Sequence, residues 1–148
     1  MVESMYRKRL LPCGRCDSPM KEVAVPGDGD RVLVDICEQC SCVFIEYFDG
    51  EPSTIARALD RHRLVPGGDR RGPSERRGES APPDCPACDQ PMSLLPYLEQ
   101  GPPVHRCHLC MAVLADADQL ASLARYEQLQ PEPQERGGLF GLLRRLFD

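Results

Sequence analysis

Residues 13–40 begin as Cys13-Gly14-Arg15-Cys16 and end as Cys37-Glu38-Gln39-Cys40, with twenty residues between the two pairs. Residues 85–110 begin as Cys85-Pro86-Ala87-Cys88 and end as Cys107-His108-Leu109-Cys110, with eighteen residues between the pairs. Two CxxC pairs at this spacing are typical of a four-cysteine zinc site. The sequence therefore predicts two metal sites, whose ligands are Cys13, Cys16, Cys37, Cys40 and Cys85, Cys88, Cys107, Cys110.

The two stretches are copies of each other. Cys16-Asp17-Ser18-Pro19-Met20 matches Cys88-Asp89-Gln90-Pro91-Met92 at four of five positions. The residue after the second cysteine of a CxxC turn often has a positive φ, which Asp tolerates better than most residues. We expect Asp17 and Asp89 to adopt that conformation.

The composition favours two small metal-stabilised modules over one large core. The chain has 15 Pro and 12 Gly among 148 residues, aromatics make up 5%, and Trp is absent. Domains this small usually need a metal or disulfide to fold. The predicted division is a basic lead-in (1–11), a first repeat (12–64), a disordered linker (65–84), a second repeat (85–130), and a linker with a tail helix (131–148).

Each repeat is predicted to be a small α+β unit. In the first, alternating residues predict strands over 21–25 and 31–36 around a turn that contains Asp-Gly, and residues 43–45 form a short third strand. Strands over 93–99, 104–106 and 113–115 repeat the plan. Apolar spacing predicts helices over 53–64 and 116–130. Ser53 is the expected N-cap of the first helix, and Asp116 or Asp118 that of the second.

Charge and cysteine usage narrow the function classes. CxxC pairs without a preceding signal peptide or membrane span predict a cytoplasmic protein with reduced thiols. The formal net charge is −5. Thiolate coordination makes the metal-bound form more acidic, so we do not expect direct nucleic-acid binding, which calls for a basic patch.

Four further side chains are of types that bind metal or take part in redox chemistry. Cys42 is a reactive thiol, a substitute ligand, or a small apolar side chain beside the first site, and the last of these is favoured. His62 is expected at the edge of its helix, and His105 and His108 at the solvent, because each metal site already has four cysteines.

The C-terminal segment predicts an amphipathic docking helix. At 100° per residue its apolar side chains occupy an arc of about 160°, and Arg144 and Arg145 lie opposite. Ten helical residues are only about 15 Å long, too short to span a bilayer. The face suits a partner protein, peripheral contact with a membrane, or the protein's own repeats. It comprises Leu139, Phe140, Leu142, Leu143, Leu146 and Phe147.

Each repeat resembles the small bacterial zinc ribbons of the transcription factor B type. Their pattern, Cys-Pro-x-Cys-Gly and then Cys-x-x-Cys-Gly-Gly-Val-Trp-Leu-Asp-x-Gly-Glu-Leu, matches the cysteines, Val43, Val113, Asp116 and Leu120. It departs at the Gly-Gly pair, replaced by Ser41-Cys42 and Met111-Ala112, and at the Trp. The resemblance implies a zinc-ribbon fold holding one zinc ion per repeat. Rubredoxins share the cysteine loop, so iron remains an alternative.

The function predicted from these features is a non-enzymatic zinc-binding adaptor, in which two ribbons bind protein and the tail helix docks. One alternative is a transcription-related or nucleic-acid-associated ribbon that binds a basic protein. The other is a rubredoxin-like iron or thiol redox protein.

Overall fold

Three strands and one helix form in each repeat, in the same order. The computed structural model of this chain describes residues 10–27, 31–66 and 81–126. The predicted α+β class is confirmed, with an antiparallel sheet and two helices in the described part of the chain. The elements are β1 (Lys21–Val25), β2 (Val32–Ile36), β3 (Val43–Ile45), a 3₁₀ turn (Tyr47–Asp49), α1 (Pro52–Arg61), β4 (Ser93–Pro96), β5 (Pro103–Arg106), β6 (Val113–Ala115) and α2 (Ala117–Tyr126).

Helix α1 begins earlier than its pattern predicts. Its N-cap position is Glu51, and Pro52 occupies the first turn, where its missing N–H and fixed φ are tolerated. The prediction that Ser53 caps the helix is wrong, because Ser53 is buried within the first turn. Its hydroxyl oxygen instead accepts a hydrogen bond from the Tyr97 hydroxyl at 3.4 Å. This bond joins the two repeats.

Asp116 caps helix α2, and it is one of the two residues predicted to do so. The backbone N–H of Gln119 donates to Asp116 Oδ1 at 2.8 Å, and the N–H of Asp116 donates to Gln119 Oε1 at 3.0 Å. These reciprocal bonds form a capping box, which satisfies two backbone donors at the helix start. Residues 127–130 of the predicted helix lie outside the described residues.

The two repeats share one sheet. Its strand order is β1-β2-β3-β6-β5-β4, so β3 and β6 form the central pair. They run antiparallel, with Val43 opposite Ala115, Phe44 opposite Leu114 and Ile45 opposite Val113. Phe44 and Leu114 are also equivalent positions of the duplication, 70 residues apart. An approximate twofold axis therefore passes between them and relates one repeat to the other.

Both faces of the central strands are buried. Val43, Ile45, Val113 and Ala115 belong to the core on the helix side, which also contains residues of α1 and α2. Phe44 and Leu114 belong to a second core that contains cysteines of both quartets. This follows from the strand period, which sends alternate side chains to opposite faces. Each core thus draws residues from both repeats.

The two repeats contact each other directly. Besides the β3–β6 pairing, α1 packs against α2, and the N–H of Asp84 donates to the carbonyl of Gly14 at 3.1 Å. A Cβ added at Gly14 would overlap the Asp84 carbonyl oxygen, so this approach requires glycine. Leu64 and Val65 pack on the helix-side core, while residues 67–80 of the predicted linker lie outside the described residues.

Neither helix of the described residues has the length and apolar character that crossing a membrane requires.

We expect Phe44→Ala to destabilise both repeats together. Phe44 is fully buried, and truncating such a ring costs about 3–5 kcal/mol. Because the ring lies at the shared centre, urea denaturation should show one transition, shifted to lower concentration. Leu94→Ala is the control, since Leu94 is 56% exposed on β4 and should shift the midpoint little. NMR signals lost from the first repeat alone would contradict the shared core.

Candidate metal centres

Four backbone loops of one design present the eight predicted cysteines. In each loop the N–H of the residue after the second cysteine donates to the carbonyl of the first cysteine, at 2.9–3.0 Å. The N–H of the first cysteine donates to the carbonyl five residues later, at 2.8–3.0 Å. The residue after the second cysteine has a positive φ in all four loops. These residues are Asp17 (61°), Ser41 (60°), Asp89 (62°) and Met111 (56°).

The prediction for Asp17 and Asp89 is therefore confirmed, and Ser41 and Met111 adopt the same conformation. Asp is among the residues that visit this region most readily, whereas Met pays a larger steric cost. The loop hydrogen bonds offset that cost. The sequence signal for Ser41 and Met111 is their position directly after a CxxC pair, not their residue type.

The loops bring the cysteines together in two quartets. The sulfur atoms of each quartet lie within 4.8 Å of one another. Sγ–Sγ distances of 3.5 Å separate Cys13 from Cys40, Cys16 from Cys37, and Cys88 from Cys107. Four sulfurs at about 2.3 Å from a tetrahedral zinc ion would be about 3.8 Å apart. Both quartets therefore fit a tetrahedral metal ion with thiolate ligands.

The surroundings of the sulfurs favour thiolate over thiol at selected positions. Burial alone would raise the pKa of Cys107. The backbone N–H groups of Cys110 and Leu109, together with the neighbouring thiols, outweigh it and lower the Cys107 pKa to about 7. In the first quartet, hydrogen bonds from Cys37, Cys40 and Cys42 hold the pKa of Cys13 far below its usual value. A thiolate is the form that binds metal. Hydrogen bonding to Cys13 raises the pKa of Cys37 and Cys40, and burial raises that of Cys85, so each quartet without an ion combines thiolate and thiol.

The protein buries both quartets against the same face of the sheet. Cys13, Cys37, Cys85 and Cys107 are fully buried, and they pack with Met20, Phe44, Met92 and Leu114 in one apolar cluster. Met20 and Met92 are the last residues of the repeated pentapeptide. This cluster covers one side of both quartets, while Cys40, Cys88 and Cys110 remain partly exposed.

Cys42 lies beside the first quartet but outside it. Its side chain is fully buried and packs in the same cluster as Phe44. Hydrogen bonding with Cys13 and then burial raise its pKa well above the usual range. Its equivalent in the second repeat is Ala112, also buried. The structure thus agrees with the favoured interpretation of Cys42 as a small buried side chain.

The three histidines differ in their surroundings. His62 is exposed at the C-terminal end of α1, and His108 is exposed with its Nε2 3.0 Å from Ser93 Oγ. The prediction that His105 faces solvent is wrong, because His105 is half-buried on the sheet. Burial, followed by the positive charge of Arg15, lowers its pKa. None of the three belongs to a quartet.

Arg15 is a residue that sequence reasoning did not single out. It lies within the first CxxC loop, yet its charge acts on His105 of the second repeat. Arg15 Nε and His105 Nδ1 are both buried, and neither has a hydrogen-bond partner in the described structure. The pairing of the two repeats brings this charge near His105, so no local sequence pattern could predict the effect.

The predicted docking residues of the tail, from Leu139 to Phe147, lie outside the described residues.

No protein-family model, curated protein or solved structure matches this chain. The resemblance to the bacterial zinc ribbons therefore stays a prediction from the residues quoted above.

We expect Cys40→Ala and Cys42→Ala to differ in metal content. Cys40 belongs to the first quartet, so Cys40→Ala should lower the bound metal from two ions to about one per chain and destabilise the fold. Cys42→Ala also removes one thiol, only two residues away, but it should keep both ions. Elemental analysis of both purified variants measures this. Equal metal loss in the two would mean that Cys42 is a ligand.

Proposed function

We propose that this is a non-enzymatic zinc-binding protein, in which two four-cysteine centres stabilise tandem zinc ribbons that act as a protein-interaction adaptor. The observation that carries the proposal is the pair of sulfur quartets, each with four thiols within 4.8 Å of one another. The loops of the two sites have the same hydrogen bonds and backbone conformation, so we expect both sites to bind the same metal.

The donor set supports a structural role over a catalytic one. Four thiolates complete the tetrahedral coordination that zinc prefers, which leaves no position for a substrate or an activated water. Catalytic zinc sites keep such a position and mostly use three protein ligands. The burial of the sulfurs in an apolar cluster supports the same conclusion.

Charge favours a protein partner over nucleic acid. Four thiolates around Zn²⁺ contribute about −2 per site. Two sites therefore take the formal charge from −5 to about −9. Residues 12–64 and 85–130 carry formal charges of −4 and −3 before the metal is counted. Such surfaces repel a phosphate backbone but attract basic protein segments.

The tail supplies the second part of the proposal. Six apolar side chains share one side of a predicted helix over 139–148, opposite Arg144 and Arg145. A helix of this length is marginal in water and gains stability by burying its apolar face. A partner groove offers such burial, and a membrane surface with anionic head groups would hold the same helix weakly.

Protein purified without added metal should contain two zinc ions per chain and show no visible absorption. The eight quartet cysteines and the tetrahedral sulfur spacing lead to this expectation. Elemental analysis and a visible spectrum measure it directly. Stoichiometric iron with visible bands would replace the proposed zinc by iron and favour the rubredoxin-like alternative.

Leu143→Asp should abolish docking of the tail while leaving thermal stability unchanged. The substitution places a charge in the centre of the apolar face, and Gly141→Asp places the same charge on the polar side as a control. Binding to vesicles containing anionic lipid, and recovery of partner proteins with the full chain, should be lost for the first variant alone.

A tail that folds back onto the protein gives a different result. A groove between α1 and α2 is lined in part by Leu59, Val65 and Leu120. In that case Leu143→Asp lowers the melting temperature and no binding is lost. That outcome would refute docking of the tail on a partner or membrane.

A further inference from the structure

The two repeats differ most in the segment that follows the third strand. In the first, the N–H of Glu46 donates to Asp49 Oδ2 at 2.8 Å and completes a capping box. The equivalent box in the second repeat joins Asp116 and Gln119, 70 residues later. Helix α2 runs directly on from its box. The first repeat instead makes the 3₁₀ turn and passes through Gly50, whose φ is 120°, before α1 begins.

This extra turn exposes two aromatic rings. Tyr47 is 65% exposed and Phe48 is 93% exposed. Their rings meet edge to face, with centroids 5.6 Å apart and planes at 83°. The aligned residues of the second repeat are Ala117 and Asp118, which bear no ring. Phe48 gives the core almost nothing at this exposure, so its presence is not explained by folding.

The rings are held on a fixed backbone. Both hydrogen bonds of the capping box close around Tyr47 and Phe48, and the turn contacts β2. Strand β2 also carries Leu33, which is 39% exposed. A ring pair on such a turn loses little conformational freedom when a ligand binds, which reduces the entropic cost of recognition.

Charge around the rings selects the ligand. Residues 46–51 include the carboxylates of Glu46, Asp49 and Glu51 and contain no Lys or Arg. The next arginine in the chain, Arg57, donates to Thr54 Oγ1 at 3.3 Å. Aromatic faces attract cations, and a planar guanidinium also stacks on them. The carboxylates would repel an anionic ligand, and a purely apolar ligand would offer them no opposite charge. Rings bordered by carboxylates therefore fit an arginine side chain best.

We propose that the aromatic turn, residues 46–51, binds an arginine-containing peptide segment of a partner protein. Tyr47 and Phe48 contact the guanidinium and its methylene groups, and the adjacent carboxylates supply the opposite charge. This surface is distinct from both metal centres and from the tail. Binding of the peptide there does not depend on docking of the tail, or on whether the bound metal is zinc.

An NMR titration of the metal-loaded full chain tests the proposal. The probe is a synthetic peptide of six Gly-Arg repeats, and the matched peptide has Gln in place of every Arg. The ring signals of Tyr47 and Phe48 should shift and saturate with the Arg peptide alone. Phe48→Ser and Tyr47→Ser should each weaken binding about fivefold. Leu94→Ser, which removes an exposed apolar side chain from β4, should not.

Three results would overturn the proposal. The first is equal affinity of the wild type and Phe48→Ser for the Arg peptide, with the fold of the variant checked by circular dichroism. The second is equal binding of the Gln peptide. The third is that the NMR signals of both rings shift with salt concentration in the absence of peptide and do not shift further when peptide is added. The chain's own arginines would then occupy the turn.

Discussion

Repulsion among four converging sulfurs is the constraint around which this protein is built. Thiolates this close, in a largely buried site, repel one another unless a cation joins them, so the fold and the metal require each other. Backbone N–H groups of one loop outweigh the effect of burial and lower the pKa of Cys107. The rest of the structure has to hold the four loops in position.

The central sheet performs that task for both quartets at once. Strands β3 and β6 are only three residues long, yet each is buried on both faces and bonded on both edges. Phe44 and Leu114 lie beneath the sulfur loops, while their neighbours in the strands pack under the helices. The two metal sites therefore share one apolar cluster, to which both repeats contribute.

Local chemistry was predictable from the sequence, and contacts between repeats were not. The CxxC spacing located the eight ligands that the structure brings together, and strand patterns gave β1, β3 and β6 with correct bounds. The expectation of separate repeats arose because Val43-Phe44-Ile45 and Val113-Leu114-Ala115 are too short to show that both faces are buried. A run of apolar residues without alternation is typical of a central strand, but each repeat alone pairs its third strand on one edge only, with β2 or with β5. The prediction for Ser53 failed for the same reason, since the Tyr97 hydroxyl that bonds it belongs to the other repeat. His105 likewise lies near Arg15 of the first repeat.

The twofold relation between the repeats bears on how such a chain arises. A single repeat would leave the edge of β3 unpaired, and an identical strand from a second molecule would satisfy it in the same antiparallel register. The central pair therefore has the geometry of a homodimer interface inside one polypeptide. Gene fusion of two such subunits fixes their stoichiometry and frees each half to diverge. The aromatic turn is present on one half alone, a form of asymmetry that a symmetric dimer of identical chains could not encode.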